Sequence, residues 1–86
     1  MQYAYNTKGT CSQRILIDVE GETVTKVEYL GGCPGNTQGV ARLAENRPIG
    51  ELIQLLDGIR CGYKPTSCPD QLAQALKQIQ KMKNEE

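Results

Sequence analysis

A chain of 86 residues and 9.5 kDa has room for one small domain, and a core of that size is marginally stable without a disulfide, a metal ion or a partner chain. Ten basic and ten acidic residues cancel, and an aromatic fraction of 5% with neither Trp nor Phe offers no basic stripe or stacking platform, which argues against nucleic acid as a primary ligand. The start, Met1-Gln2-Tyr3-Ala4-Tyr5-Asn6, lacks the basic and apolar regions of a signal peptide, and no apolar run approaches membrane-spanning length, so the expected location is the cytoplasm and no membrane partner is expected.

In chain order, strands come first. Tyr3 and Tyr5 alternate, and Ile15, Ile17 and Val19 alternate with Leu16, Asp18 and Glu20 at the two-residue period of a half-buried strand. The β-branched run Thr23–Leu30 follows Glu20-Gly21-Glu22, which predicts an antiparallel hairpin turning at Gly21, with the first strand at an edge. After Gly31-Gly32-Cys33-Pro34-Gly35 the period becomes helical. Val40, Leu43 and Ala44 line a short helix that stops at Asn46-Arg47-Pro48, because the residue before proline is pushed out of helical geometry. Ile49, Leu52, Ile53 and Leu56 fall at i, i+3, i+4 and i+7 and predict a second helix closed by Gly58.

The third helix has the clearest start. Ser67 or Cys68 serves as N-cap, Pro69 stands where a missing N–H costs nothing, and Asp70 suits the positive end of the helix dipole. Leu72, Ala75, Leu76 and Ile79 make its buried stripe, with Lys77, Lys81 and Lys83 toward its carboxyl end. The expected fold is α+β: one domain over residues 1–86, with a three-stranded antiparallel sheet and three helices packed on one face. Asp57, Asp70 and the lysines read as a solvated face and helix-end charges.

The chemistry rests on four cysteines, since the chain has no histidine and a Cys-His nucleophilic pair is thereby excluded within it. A reducing cytosol disfavours a disulfide framework, leaving metal binding or redox work. Cys11 precedes the hairpin and Cys33 follows it; an antiparallel hairpin returns the chain to where it entered, so the two are expected to be neighbours. Cys68 joins them if the last helix packs with its amino terminus at that end, and Cys61, in the Cys61-Gly62 turn, can reach the same point. Four converging thiolates match tetrahedral zinc or an iron–sulfur centre. The spacing, Cys-x21-Cys-x27-Cys-x6-Cys, contains no Cys-x-x-Cys knuckle, and the plainer reading of any one cysteine, Cys61 above all, is a buried small hydrophobe. Placed on a first helical turn, Cys68 is expected to be more acidic than an ordinary thiol. Gly31, Gly32 and Gly35 could cradle an anion, although no Lys-Ser or Lys-Thr follows them as in a phosphate loop, and ordinary turn chemistry is the plainer reading.

Thr66-Ser67-Cys68-Pro69-Asp70 resembles the signature of the TSCPD domain family, and the likeness extends to Gly31-Gly32-Cys33-Pro34-Gly35-Asn36, Gly58-Ile59-Arg60-Cys61-Gly62 and Gln71-Leu72-Ala73 through Ala75-Leu76. That family occurs as small bacterial proteins and as a carboxy-terminal region of some ribonucleotide reductases, chiefly cobalamin-dependent ones, so the resemblance carries a ribonucleoside-diphosphate reductase label. Ribonucleotide reduction itself needs a large barrel, a radical cysteine and a radical generator, which 86 residues cannot hold. The order of parts also resembles iron–sulfur cluster scaffold proteins, with Cys11, Cys33 and Cys68 at the three matching positions. Where that family has an Asp after its first cysteine and a His beside its last, this chain has Gln13 and Ser67, and Cys61 could supply a fourth ligand.

Three functions follow as expectations. The first is a metal-binding accessory module, not catalytic alone, with zinc or an iron–sulfur cluster held by Cys11, Cys33, Cys61 and Cys68 and a ribonucleotide reductase or another metalloenzyme as partner. The second is a thiol relay or accessory protein of deoxyribonucleotide synthesis, with Cys68 as thiolate and Cys61 as its resolving partner. The third is a nucleotide- or small-molecule-binding homodimer that uses the glycine loops.

Overall fold

The hydrophobic alternation of the first half builds a sheet whose buried rows can be followed residue by residue in the computed structural model, which describes residues 2–8, 12–31, 34–60 and 66–84. Strands β1 (Gln2–Asn6), β2 (Ser12–Glu20), β3 (Thr23–Gly31) and β4 (Arg47–Pro48) form an antiparallel sheet in the order β1-β2-β3-β4. Across one face run the rows Tyr5-Ile15-Tyr29 and Tyr3-Ile17-Val27, and then the pair Val19-Val24. Ile15, Ile17, Val19, Val24 and Val27 are buried there, in one cluster with Ala44, Ile49, Leu52, Leu72, Ala75, Leu76 and Ile79 of helices α1 (Pro34–Ala44), α2 (Ile49–Leu56) and α3 (Cys68–Asn84). Gly21 turns the hairpin with φ +61°, the left-handed region glycine enters without steric cost.

Strict alternation along β3 would put Val24 and Val27 on opposite faces. A register shift resolves this: Asp18 pairs with Lys26 but Val19 pairs with Val24, leaving Thr25 as the extra residue of a bulge, its hydroxyl donating to the Asp18 carbonyl at 3.1 Å. The bulge reverses the parity so that both valines reach the core.

Among the described residues the expected three strands are four. The segment that stops α1 does more than break a helix: Asn46 takes a left-handed φ of 63°, and the chain then runs extended along β3. The Asn46 amide donates to the Val24 carbonyl at 2.7 Å and the Ile49 amide to the Glu22 carbonyl at 2.8 Å. Pro48, which has no N–H to give, sits between these two donors on an edge strand, where that loss is tolerated. Leu43 also departs from expectation, for it is 68% exposed while Val40, Ala41 and Ala44 face the core. Among the described residues no helix is long and apolar enough to cross a membrane.

Candidate functional site

The residues from Thr66 to Asp70 are all buried, and their polar groups are tied to one another and to the end of α2. Ser67 is the N-cap of α3: its hydroxyl accepts from the Asp70 amide at 3.2 Å, and its carbonyl accepts the Gln71 amide at 2.8 Å. The same hydroxyl donates to the Ile59 carbonyl at 2.6 Å, so one side chain both starts the helix and fastens the preceding segment to it.

Asp70, expected as a solvated helix-end charge, is only 6% exposed. Its carboxylate accepts from the Gly58 amide at 2.7 Å, from Gln74 Nε2 at 3.1 Å and, in a short contact, from the Thr66 hydroxyl. Burial by itself would raise the Asp70 pKa. The hydrogen bonds from Thr66, Gly58 and Gln74, with the positive charge of Lys77, outweigh it and hold the carboxyl below its usual value. Lys77 is itself fixed by an ion pair with Asp57 at 2.9 Å. Gln71 extends the cluster: its Nε2 donates to Thr66 Oγ1 at 3.0 Å, and its Oε1 accepts the Lys8 amide at 3.0 Å, bringing the start of the loop between β1 and β2 onto the first turn of α3. No buried side-chain nitrogen or oxygen among the described residues lacks a partner.

Cys68 stands on this first turn as a thiol, 8% exposed. Its carbonyl accepts the Tyr29 hydroxyl at 2.9 Å, which ties α3 to β3. Tyr29 is held in its neutral form, its pKa pushed far up by burial first and by the nearby Cys68 sulfur second.

Cys11, Cys33 and Cys61 lie outside the described residues, as does Gly32. Gly31 ends β3 with φ +81°, and Gly35 lies in the first turn of α1. Among the described residues no three of His, Cys, Asp and Glu are grouped to hold a metal ion, a statement that reaches only one of the four cysteines. The positions that adjoin the others in sequence are described. Ser12, which follows Cys11 in sequence, pairs with Gly31, which precedes Gly32-Cys33, at the open end of the β2–β3 hairpin. Ile59, two residues before Cys61, receives the Ser67 hydroxyl.

The pentapeptide that starts α3 is thus a buried fastener, and this decides how the family match is to be read. The TSCPD domain model matches residues 1–80. The chain belongs to the TSCPD domain family. Searches of curated proteins and of solved structures gave no match. In this TSCPD domain the signature's Thr, Ser and Asp build the helix start, and its Cys stands buried on the first turn. Gln74 and Tyr29 carry no obvious signal in sequence, and Thr66 and Gln71 stand out only as members of the family-like stretches; for Asp70 the signal is its N3 position after an N-cap Ser, the spacing of a capping box, although its carboxylate here turns to Gly58 and Thr66 rather than back to the cap.

Proposed function

We propose that this TSCPD protein is a small metal-binding accessory module, not catalytic by itself, in which Cys11, Cys33, Cys61 and Cys68 together hold one zinc ion or an iron–sulfur cluster beside a larger enzyme, with ribonucleotide reductase the first candidate. The observation that carries this reading is the meeting of the cysteines' described neighbours at one end of the fold. Ser12 pairs with Gly31, Tyr29 bonds Cys68, Ser67 bonds Ile59 and Lys8 bonds Gln71. Cys11, Cys33 and Cys61 each stand one or two residues along the sequence from one of the described positions Ser12, Gly31 and Ile59, which supports the reading.

An all-sulfur donor set without histidine suits zinc or an iron–sulfur centre and does not suit hard, oxygen-seeking cations. A closed four-thiolate zinc site would add folding energy to a domain that is short of core; a cluster would add one-electron chemistry. The chain's own contribution is to hold Cys68 by Tyr29 and by the Thr66-Ser67-Asp70 fastener, with water largely kept off the thiol. The order of parts, a hairpin flanked by cysteines and a long last helix opened by a third, also supports the likeness to iron–sulfur scaffold architecture.

Protein purified without oxygen should carry about one equivalent of zinc or an iron–sulfur chromophore, and a chelator should lower its melting temperature. Metal-free protein of undiminished stability would end this reading.

A further inference from the structure

Helix α2, Ile49-Gly50-Glu51-Leu52-Ile53-Gln54-Leu55-Leu56, is more apolar than a helix covered on one side requires. Five of its eight residues are Ile or Leu, and they do not share one face. Ile49 and Leu52 are buried in the core, with Ile53 and Leu56 packed against it, while Leu55 is 60% exposed. The apolar arc, from Ile53 round to Leu55, is wider than the stripe that a helix covered only by the core needs, and Leu55 is the part of it the core leaves uncovered. Beside Leu55, on α1, stands Leu43, 68% exposed. Between the two helices lies a groove of about 180 Å³ lined by Val40, Leu43, Ala44, Arg47, Leu52, Leu55 and Leu56.

We propose that this groove is the interface of a homodimer in which Leu43 and Leu55 of each copy enter the groove of the other. Two properties select a second copy over another partner. The patch holds both parts of an interlocking contact, protruding leucines and the hollow beside them, which is the self-complementarity a two-fold interface demands. Its rim is also balanced in charge. Arg42 and Glu45 are exposed where α1 ends, and Arg47 and Glu51 pair at 2.8 Å with both side chains more than 40% exposed. Two arginines and two glutamates can meet their own copies without an excess of like charge, whereas a strongly acidic or basic partner finds no complementary surface. The surface is built from α1 and α2 and uses none of the cysteines, so the inference stands apart from the metal reading.

Sedimentation equilibrium of the whole protein at a concentration on the order of 100 μM should give twice the 9.5 kDa chain mass. Leu55→Glu and Leu43→Glu should each raise the dimer dissociation constant by about 30-fold or more, with helical circular dichroism unchanged because both side chains already meet solvent. Leu30→Glu, at a 38% exposed position on the sheet, should leave the dimer intact. A wild-type monomer at that concentration would overturn the proposal and leave the groove to a partner of another kind. So would a dimer indifferent to both leucine substitutions, or one lost equally in Leu30→Glu.

Discussion

The Tyr29 hydroxyl donates a 2.9 Å hydrogen bond to the Cys68 carbonyl, across 39 residues of sequence. Tyr29 lies on the core face of β3 opposite Ile15, and Cys68 opens α3, so this bond fixes the start of the last helix against the sheet at the end where Ser12 meets Gly31. Tyr29→Phe keeps the ring and deletes the bond, leaving a carbonyl short of one partner. The expected cost is about 1 kcal/mol, a fall in melting temperature of roughly 4–8 °C for a domain of this size. Because burial and the Cys68 sulfur hold the phenol neutral, Tyr29 should add no tyrosinate absorbance to the folded protein in the usual tyrosine range, and its share should appear only on alkaline unfolding.

Asp70 makes a pH-dependent contribution to the stability of the fold. Its folded-state pKa lies below the ordinary 3.8, so its stabilising contribution is complete above that value and is lost as pH falls through the folded-state value. Asp70→Asn removes the charge that Gly58, Thr66 and Gln74 converge on, and should destabilise the protein by on the order of 2 kcal/mol at neutral pH. The discriminating measurement is urea unfolding at several pH values. The gap between wild type and variant should be wide at pH 7 and narrow below about pH 4.

Much of the fold could be read in advance because the patterns that announce it are local. Ile15, Ile17 and Val19 fall on the buried face as their alternation implies, and Leu72, Ala75, Leu76 and Ile79 make the buried stripe of α3. What escaped was decided by pairing between distant segments. Nothing near Arg47-Pro48 says that its neighbours' amides will reach Glu22 and Val24, so a helix stop was legible and a fourth strand was not. Thr25 likewise becomes a bulge only through its partner Asp18. Asp70 looked like a charge at a helix start, which it is; that it would be buried depends on Gly58, twelve residues away. Of the site, the N-cap Ser67 and the place of Cys68 on the first turn were legible because capping is a local rule.

Ser67→Ala tests that cap and the link to α2 together. Loss of a Ser N-cap costs about 1 kcal/mol, and here the Ile59 carbonyl also loses its 2.6 Å donor, so the total should reach about 2 kcal/mol. Ser67→Asp restores an acceptor for the Asp70 amide but no donor for Ile59. It should therefore recover less than half of the melting-temperature loss, and full recovery would mean that the Ile59 bond contributes nothing.

The thiols separate a metal module from a relay. At 8% exposure Cys68 is poorly placed to meet an alkylating reagent in the closed fold, and if it shares a metal ion with Cys11, Cys33 and Cys61 all four should react slowly until a chelator is added, then together. A relay requires the opposite: Cys68 modified first near neutral pH in metal-free protein, and a reversible disulfide with Cys61. Single Cys→Ser variants rank the members, because loss of a true ligand should both release metal and speed alkylation of the remaining thiols. Cys61→Ser should have the mildest effect, since its membership of the site rests on the reach of the Cys61-Gly62 turn alone. Metal content unchanged in the Cys68→Ser variant would remove the first-turn cysteine from the site and leave the pentapeptide as a helix fastener alone.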